Sequence, residues 1–158
     1  MTVDTAKVPG RRTLRFATLE EMLADVETLA AGPVRTLGNW SFGQILDHVA
    51  MWLEFPLDGF PVTIPWYIRW AVYPFRGTMI RSAMRPGFKW GERDAKLVTP
   101  QREVPTEEGL ARLRKVVGRW RAEPQRHPSP LLGRLTPEQW EQFQLRHAEH
   151  HLSYAVPG

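Results

Sequence analysis

The sequence predicts an all-α fold, a helical bundle formed as a single domain over residues 1–158. Three observations lead there: helix-start signals at four places, apolar residues at helical spacing after each, and a length typical of one domain. Apolar residues make up 42% of the chain and charged residues 24%, the balance of a globular protein rather than a disordered one.

The first start is Thr18, whose hydroxyl can cap a backbone N–H while Glu21 reaches back. Leu19, Met22, Leu23, Val26 and Leu29 follow on one face, and Gly32 with Pro33 stops the run, giving helix one over about residues 18 to 31. Ser41 and Gln44 form the second capping box, with Trp40 placed to staple onto Ile45. Helix two is expected to run to about Phe55, ending before Pro56. On a helical wheel Ser41, Gln44, Ile45, Met51, Trp52 and Phe55 fall within about 60° of His48, so His48 points along the buried stripe.

Residues 56–105 are rich in Pro and Gly and hold no long periodicity, which reads as a long crossover with helical turns around Pro74. Thr106, Glu107 and Glu108 open the third long helix, with Leu110, Leu113, Val117 and Trp120 on one face; it ends before Pro124. Thr136, Pro137 and Gln139 give the fourth start, a Thr cap, Pro at the first turn and Gln at the third position. Helix four is expected to reach about Ala155, before Pro157.

Composition excludes several chemistries. Without cysteine there is no disulfide, thiolate zinc site, iron–sulfur cluster or cysteine nucleophile, so a metal would need nitrogen and oxygen ligands. No secretory signal is visible at the N-terminus, and a cytoplasmic location is expected. The aromatic stretch from Phe60 to Ile80 is broken by Pro61, Pro65, Arg69, Pro74 and Arg76 and is not a transmembrane helix. An amphipathic segment touching a membrane surface or a partner is the weaker reading of it, since the seven tryptophans of a small protein are more often core and pocket material. Between Arg76 and Lys96 six cationic residues stand against Glu92 and Asp94; Phe88 and Trp90 alone make a thin stacking platform there, so an anionic small molecule or a plain solvated surface fits better than nucleic acid.

Three of the five histidines lie within five residues, at 147, 150 and 151. His147 and His151 are separated by about 40° and roughly 6 Å along the helix, so their rings can converge on one ion. Trp140, Phe143 and Tyr154 share that stripe, making it the core-facing side. With His48, two helices direct imidazoles inward, an arrangement that holds a divalent ion such as zinc, nickel or iron with an open fourth position. A lone histidine on an apolar face is more often a hydrogen-bonded core residue, and spacing alone leaves both readings open. His150 is the rival ligand to His151. Glu149 points about 200° away from His147 and is a poor general base; His127 lies in the Pro-rich loop.

Asn39, Trp40, Ser41, Gln44 and His48, followed about a hundred residues later by His147 and His151, resemble the DinB-like metal-binding superfamily. The resemblance spans residues 39–154. It implies a four-helix bundle of up-down-down-up topology, a long crossover between helices two and three, and a metal on His48, His147 and His151. It also implies thiol S-transferase or related chemistry and a homodimer. After His151 the chain departs from the commonest pattern, with Leu152 and Ser153 in place of Arg-Gly-Gln.

Two functions follow as expectations. In one, a metal-dependent thiol S-transferase or hydrolase acts on a small, anionic or thiol-containing substrate. Gln44 then orients His48 as a second-shell donor, and Trp52, His150 and Tyr154 line or support the pocket. In the other, the site is a non-catalytic metal site in an interaction module, with Leu46, Leu53, Leu145 and Leu152 offering a dimer face or, the more common case, packing on other helices. Neither a nucleic acid nor a membrane is expected as a partner.

Overall fold

Capping chemistry sets the helix starts in the computed structural model, which describes residues 2–86 and 91–158. Helix α1 (Leu19–Ala30) begins at Thr18, whose hydroxyl accepts the Glu21 N–H at 3.1 Å, while the Glu21 carboxylate accepts from Ala17 N–H at 2.7 Å. Helix α2 (Phe42–Asp58) opens on the complete Ser41/Gln44 capping box. Short helices α3 (Trp66–Val72), α4 (Arg76–Arg81) and α5 (Glu92–Val98) follow, with a 3-10 turn at Tyr73–Phe75 built around Pro74. Helix α6 (Thr106–Ala122) starts after Pro105 with no side-chain cap, so Thr106 is its first residue. Helix α7 (Pro137–Leu152) opens on the Thr136/Gln139 box.

The fold is predominantly α with one small sheet that the all-α expectation omitted. Strands β1 (Val34–Thr36) and β2 (Ala155–Pro157) pair antiparallel, with Arg35 opposite Val156. This corrects the end of the last helix. The Ser153 hydroxyl donates back to the His150 carbonyl at 2.6 Å, the Tyr154 N–H reaches only the His151 carbonyl, and strand pairing with the α1–α2 connection then captures the chain.

Helix α2 also departs from expectation, continuing through Pro56 to Asp58 and ending at Gly59, whose φ of 105° favours glycine. A proline in the last turn removes only one intrahelical hydrogen bond, the one that Trp52 carbonyl would have accepted. Gln144 of α7 replaces it, its Nε2 donating to that carbonyl at 2.9 Å.

One core is shared by α1, α2, α6 and α7. Leu19, Met22, Val26 and Leu29 bury the predicted face of α1, against Leu113 and Trp120 of α6 and Leu145 of α7 in the same cluster. Each such side chain contributes about 1.5–3 kcal/mol by leaving water. Leu46, Leu53, Leu145 and Leu152 are all buried in this core and are not available as a dimer face. Helices α2 and α6 make the most extensive helix pair. Two glycines permit that approach: a Cβ on Gly43 would come 2.0 Å from the Val104 carbonyl oxygen, and one on Gly109 would come 2.6 Å from that of Gly43. Arg112 of α6 locks the pair from outside, reaching Asp47 at 2.7 Å and Glu54 at 2.5 Å.

The tryptophans divide. Trp120 and Trp140 are in the core, but Trp66 and Trp70 on α3 are 76% and 78% exposed, against the expectation of core and pocket roles. Phe88, Lys89 and Trp90, part of the expected basic and aromatic segment, lie outside the described residues. Among the described residues no helix is long and apolar enough to cross a membrane.

Candidate metal centre

His48 is brought to the interior because it lies on the Ile45/Val49 face of α2, and His147 because it follows Gln144 by one turn on α7. His151 lies one further turn along. The structure places the three rings together: ring centroids are 5.1 Å apart for His48 and His147, 4.3 Å for His48 and His151, and 4.6 Å for His147 and His151. One nitrogen from each can be chosen so that all lie within 4.8 Å of one another, close enough to hold a metal ion.

The electrostatics suit a cation. Desolvation holds His48, His147 and His151 well below the ordinary histidine range, and the neighbouring rings depress each of them further; the Val98 carbonyl opposes this slightly at His48. Neutral imidazoles are the ligating form. The Nε2 atoms of His48 and His151 face each other at 3.1 Å, whereas the buried Nδ1 atoms of His48 and His147 have no hydrogen-bond partner. Two buried imidazoles with an unpaired nitrogen each form an unusual core, because a buried polar atom left unpaired costs about 1–3 kcal/mol. Three neutral imidazoles, each with a nitrogen within 4.8 Å of the others, offer the donor set that a divalent ion takes.

Two tryptophans wall the cluster. Trp52 packs on His147 with a centroid distance of 4.8 Å. Trp40 stacks on His151 at 5.2 Å and 16° and lies 4.7 Å from His48. The sequence marked Trp40 as a staple on Ile45 and as part of the DinB-like motif, but not as a ring stacked on a histidine. The signal was present, since His48 follows Ile45 by three residues on the same face. The β1–β2 pairing holds this connection against the end of α7, with the Leu37 N–H donating to the Tyr154 carbonyl at 2.9 Å.

Other expected residues serve differently. Gln44 is occupied by its own cap and the next loop: Oε1 accepts from Ser41 N–H at 2.9 Å and Nε2 donates to the Arg102 carbonyl at 2.9 Å, so it does not orient His48. Tyr154 lies past the end of α7; its hydroxyl donates to the Thr5 carbonyl at 2.8 Å and its ring lies 5.8 Å from His150. His150 is half-buried beside His151, with a ring separation of 4.8 Å. Burial lowers its pKa first, and the charge of Arg11 lowers it further, while the Met84 carbonyl works the other way.

Arg11 went unnoticed in the sequence, where nothing marks it. Its Nη2 donates to Ser153 Oγ at 2.7 Å and its guanidinium lies 4.2 Å over the Tyr154 ring. It is the cation next to the histidine cluster. Glu149 is turned away, as the wheel requires, and is committed elsewhere: Oε1 accepts from Phe16 N–H at 2.6 Å and from Arg146 Nη2 at 2.5 Å. That buried pair fixes the segment before α1 against α7. His127 is exposed, and its backbone N–H donates to the Pro56 carbonyl.

The Gln144–Trp52 bond is the feature that braces the site. Trp52 lies one turn after His48 and Gln144 one turn before His147, so the bond crosses from helix to helix beside the ligands. Two helices joined there hold their histidines at a fixed separation.

Comparison with curated proteins and with solved structures gives no match. A sequence family described as a protein of unknown function, DUF1569, matches residues 9–158 and so includes every residue of the histidine cluster and its walls. The chain belongs to the DUF1569 family.

Proposed function

We infer that this protein is a divalent-metal protein of DinB-like type, with His48, His147 and His151 as ligands to zinc, nickel or iron and with a metal-dependent transferase or hydrolase activity. The observation that carries the reading is the convergence of three neutral imidazoles from α2 and α7, two buried and one half-buried, with one nitrogen of each within 4.8 Å of the others. Support for the DinB-like relationship comes from the matching positions of Trp40, Ser41 and the three histidines, and from four long helices sharing one core around a long crossover. On this reading those helices form the up-down-down-up bundle.

A divalent ion on three neutral histidines keeps its full charge and an open position, where it would lower the pKa of a water or thiol. The chain supplies the surroundings. Trp40 and Trp52 exclude water from two sides, and Arg11 offers a cation for an anionic or thiol-containing substrate. No carboxylate is placed as a base, because Glu149 is bound to Arg146 and Phe16.

The test is metal analysis of the purified protein after reconstitution with zinc, nickel or iron(II), beside His48→Ala and His147→Ala. About one ion per chain in the wild type, with affinity reduced by more than about a hundredfold in each variant, is expected. Wild-type protein that stays metal-free, or variants that bind as well, would overturn the reading. With metal bound, turnover of a panel of thiols and electrophiles supports the transferase, turnover of esters or amides supports the hydrolase, and inertness toward both leaves a non-catalytic metal site.

A further inference from the structure

Helix α3 and the turn after it expose Trp66, Tyr67, Ile68, Trp70, Tyr73 and Phe75, each between 40% and 78% accessible. Elsewhere among the described residues only Val3 and Leu97 are large apolar side chains with comparable exposure. Scattered exposed apolar residues are ordinary; six within ten residues are a surface built for contact. The segment that follows it is anchored through α4. Ile80 of α4 is buried, both Arg15 Nη atoms donate to the Arg81 carbonyl at 3.2 Å, and α3 faces Leu131 and Leu132 across an open cleft.

Charge selects the partner. Between Asp58 and Glu92 the sequence contains no acidic residue but has Arg69, Arg76, Arg81, Arg85 and Lys89. Arg69 is exposed between Trp66 and Trp70, and the Arg76 guanidinium lies 4.8 Å over the Tyr73 ring. We propose that this surface docks the protein on the face of an anionic lipid bilayer, with the α3 aromatics seated at the headgroup level and the arginines against lipid phosphates. Tryptophan and tyrosine favour that depth because one end of each ring is apolar and the other wet. Anionic headgroups attract each nearby cation independently of sequence. A second copy of the chain fits less well, because a two-fold interface would set these arginines against one another with no carboxylate in the segment to pair them. A nucleic acid would meet more large apolar side chains than cations. The helix is far too short to span a membrane, so the contact is one of lying on the surface.

The proposal departs from the expectation of no membrane partner and is independent of the metal reading. Its test is flotation of the full-length protein with phosphatidylcholine vesicles, with and without phosphatidylglycerol. Strong binding to the anionic vesicles, weakened by salt and reduced at least about tenfold in Trp66→Ala/Trp70→Ala and in Arg69→Glu, is expected. Because the substituted side chains are exposed, circular dichroism and melting temperature should stay at wild-type values. The proposal is overturned by failure to bind anionic vesicles, or by binding that these substitutions leave unchanged. It is overturned equally if the wild type ignores vesicles and the same substitutions abolish a dimer in sedimentation or binding to single-stranded DNA.

Discussion

Two aromatic-rich regions of this chain have opposite fates. Around the histidines, Trp40 and Trp52 are drawn into the junction of α2 and α7, whereas on α3 Trp66 and Trp70 stand in solvent. The difference lies in what surrounds each ring in sequence. Helix α2 is long and carries a one-sided apolar stripe, so Trp52 packs on His147 of α7, while Trp40, just ahead of α2, stacks on His151. Helix α3 has seven residues, apolar nearly all round, and none of them is buried. Aromatic content alone therefore says nothing about burial; the length and sidedness of the helix decide it.

The sharpest way to break that contrast is to truncate one tryptophan from each kind of environment. Trp140→Ala removes a ring that is 1% exposed and stacked 5.9 Å from Phe60, and should lower unfolding stability by about 3–5 kcal/mol. Trp70→Ala should change it by less than about 0.5 kcal/mol. Urea denaturation of both variants measures this, and similar losses would show that the α3 aromatics are structural after all.

Added volume probes the same contrast from the other side. Gly43→Ala introduces a methyl against the Val104 carbonyl where α2 meets α6, and should cost about 1–3 kcal/mol by forcing the helices apart. Because that separation would be transmitted along α2 to His48, metal affinity should fall with it. Gly91→Ala, where a Cβ meets open space, should leave both quantities near wild type in thermal melts and metal titrations.

The smallest effect belongs to the charged exterior. Arg121 joins Glu20 of α1 to Glu141 of α7 and, chiefly by its hydrogen bonds, lowers the Glu20 pKa from 4.5 to about 2. A carboxylate with a depressed folded-state pKa contributes stability above its unfolded pKa and loses it as pH falls from about 4.5 toward 2. Glu20 is largely solvated, so screening limits the contribution to less than about 1 kcal/mol. Glu20→Gln should flatten the stability profile across that window by this amount and leave it unchanged at neutral pH apart from a constant offset.

Much of the site was legible early because it rests on local rules. The Ser41 and Thr136 capping boxes fixed where α2 and α7 begin, and helical periodicity then put His48, His147 and His151 on inward faces and turned Glu149 away. Misreadings and omissions arose where a residue's partner lies far along the chain. Gln44 belongs to Arg102, Gln144 to Trp52 and Arg11 to Ser153, pairings separated by 58, 92 and 142 residues. Pro56 was read as a helix stop because its missing N–H is local, while the side chain that compensates for it comes from another helix.

The amino-acid sequence by itself determined the helix starts, the core-facing stripes and the three histidines, since capping and periodicity act within a few residues. Only the tertiary structure decided that β2 would end α7, that Trp40 would close over His151, and that α3 would be left without a cover. Each of these depends on which distant surface is available to pack, and no local pattern encodes that.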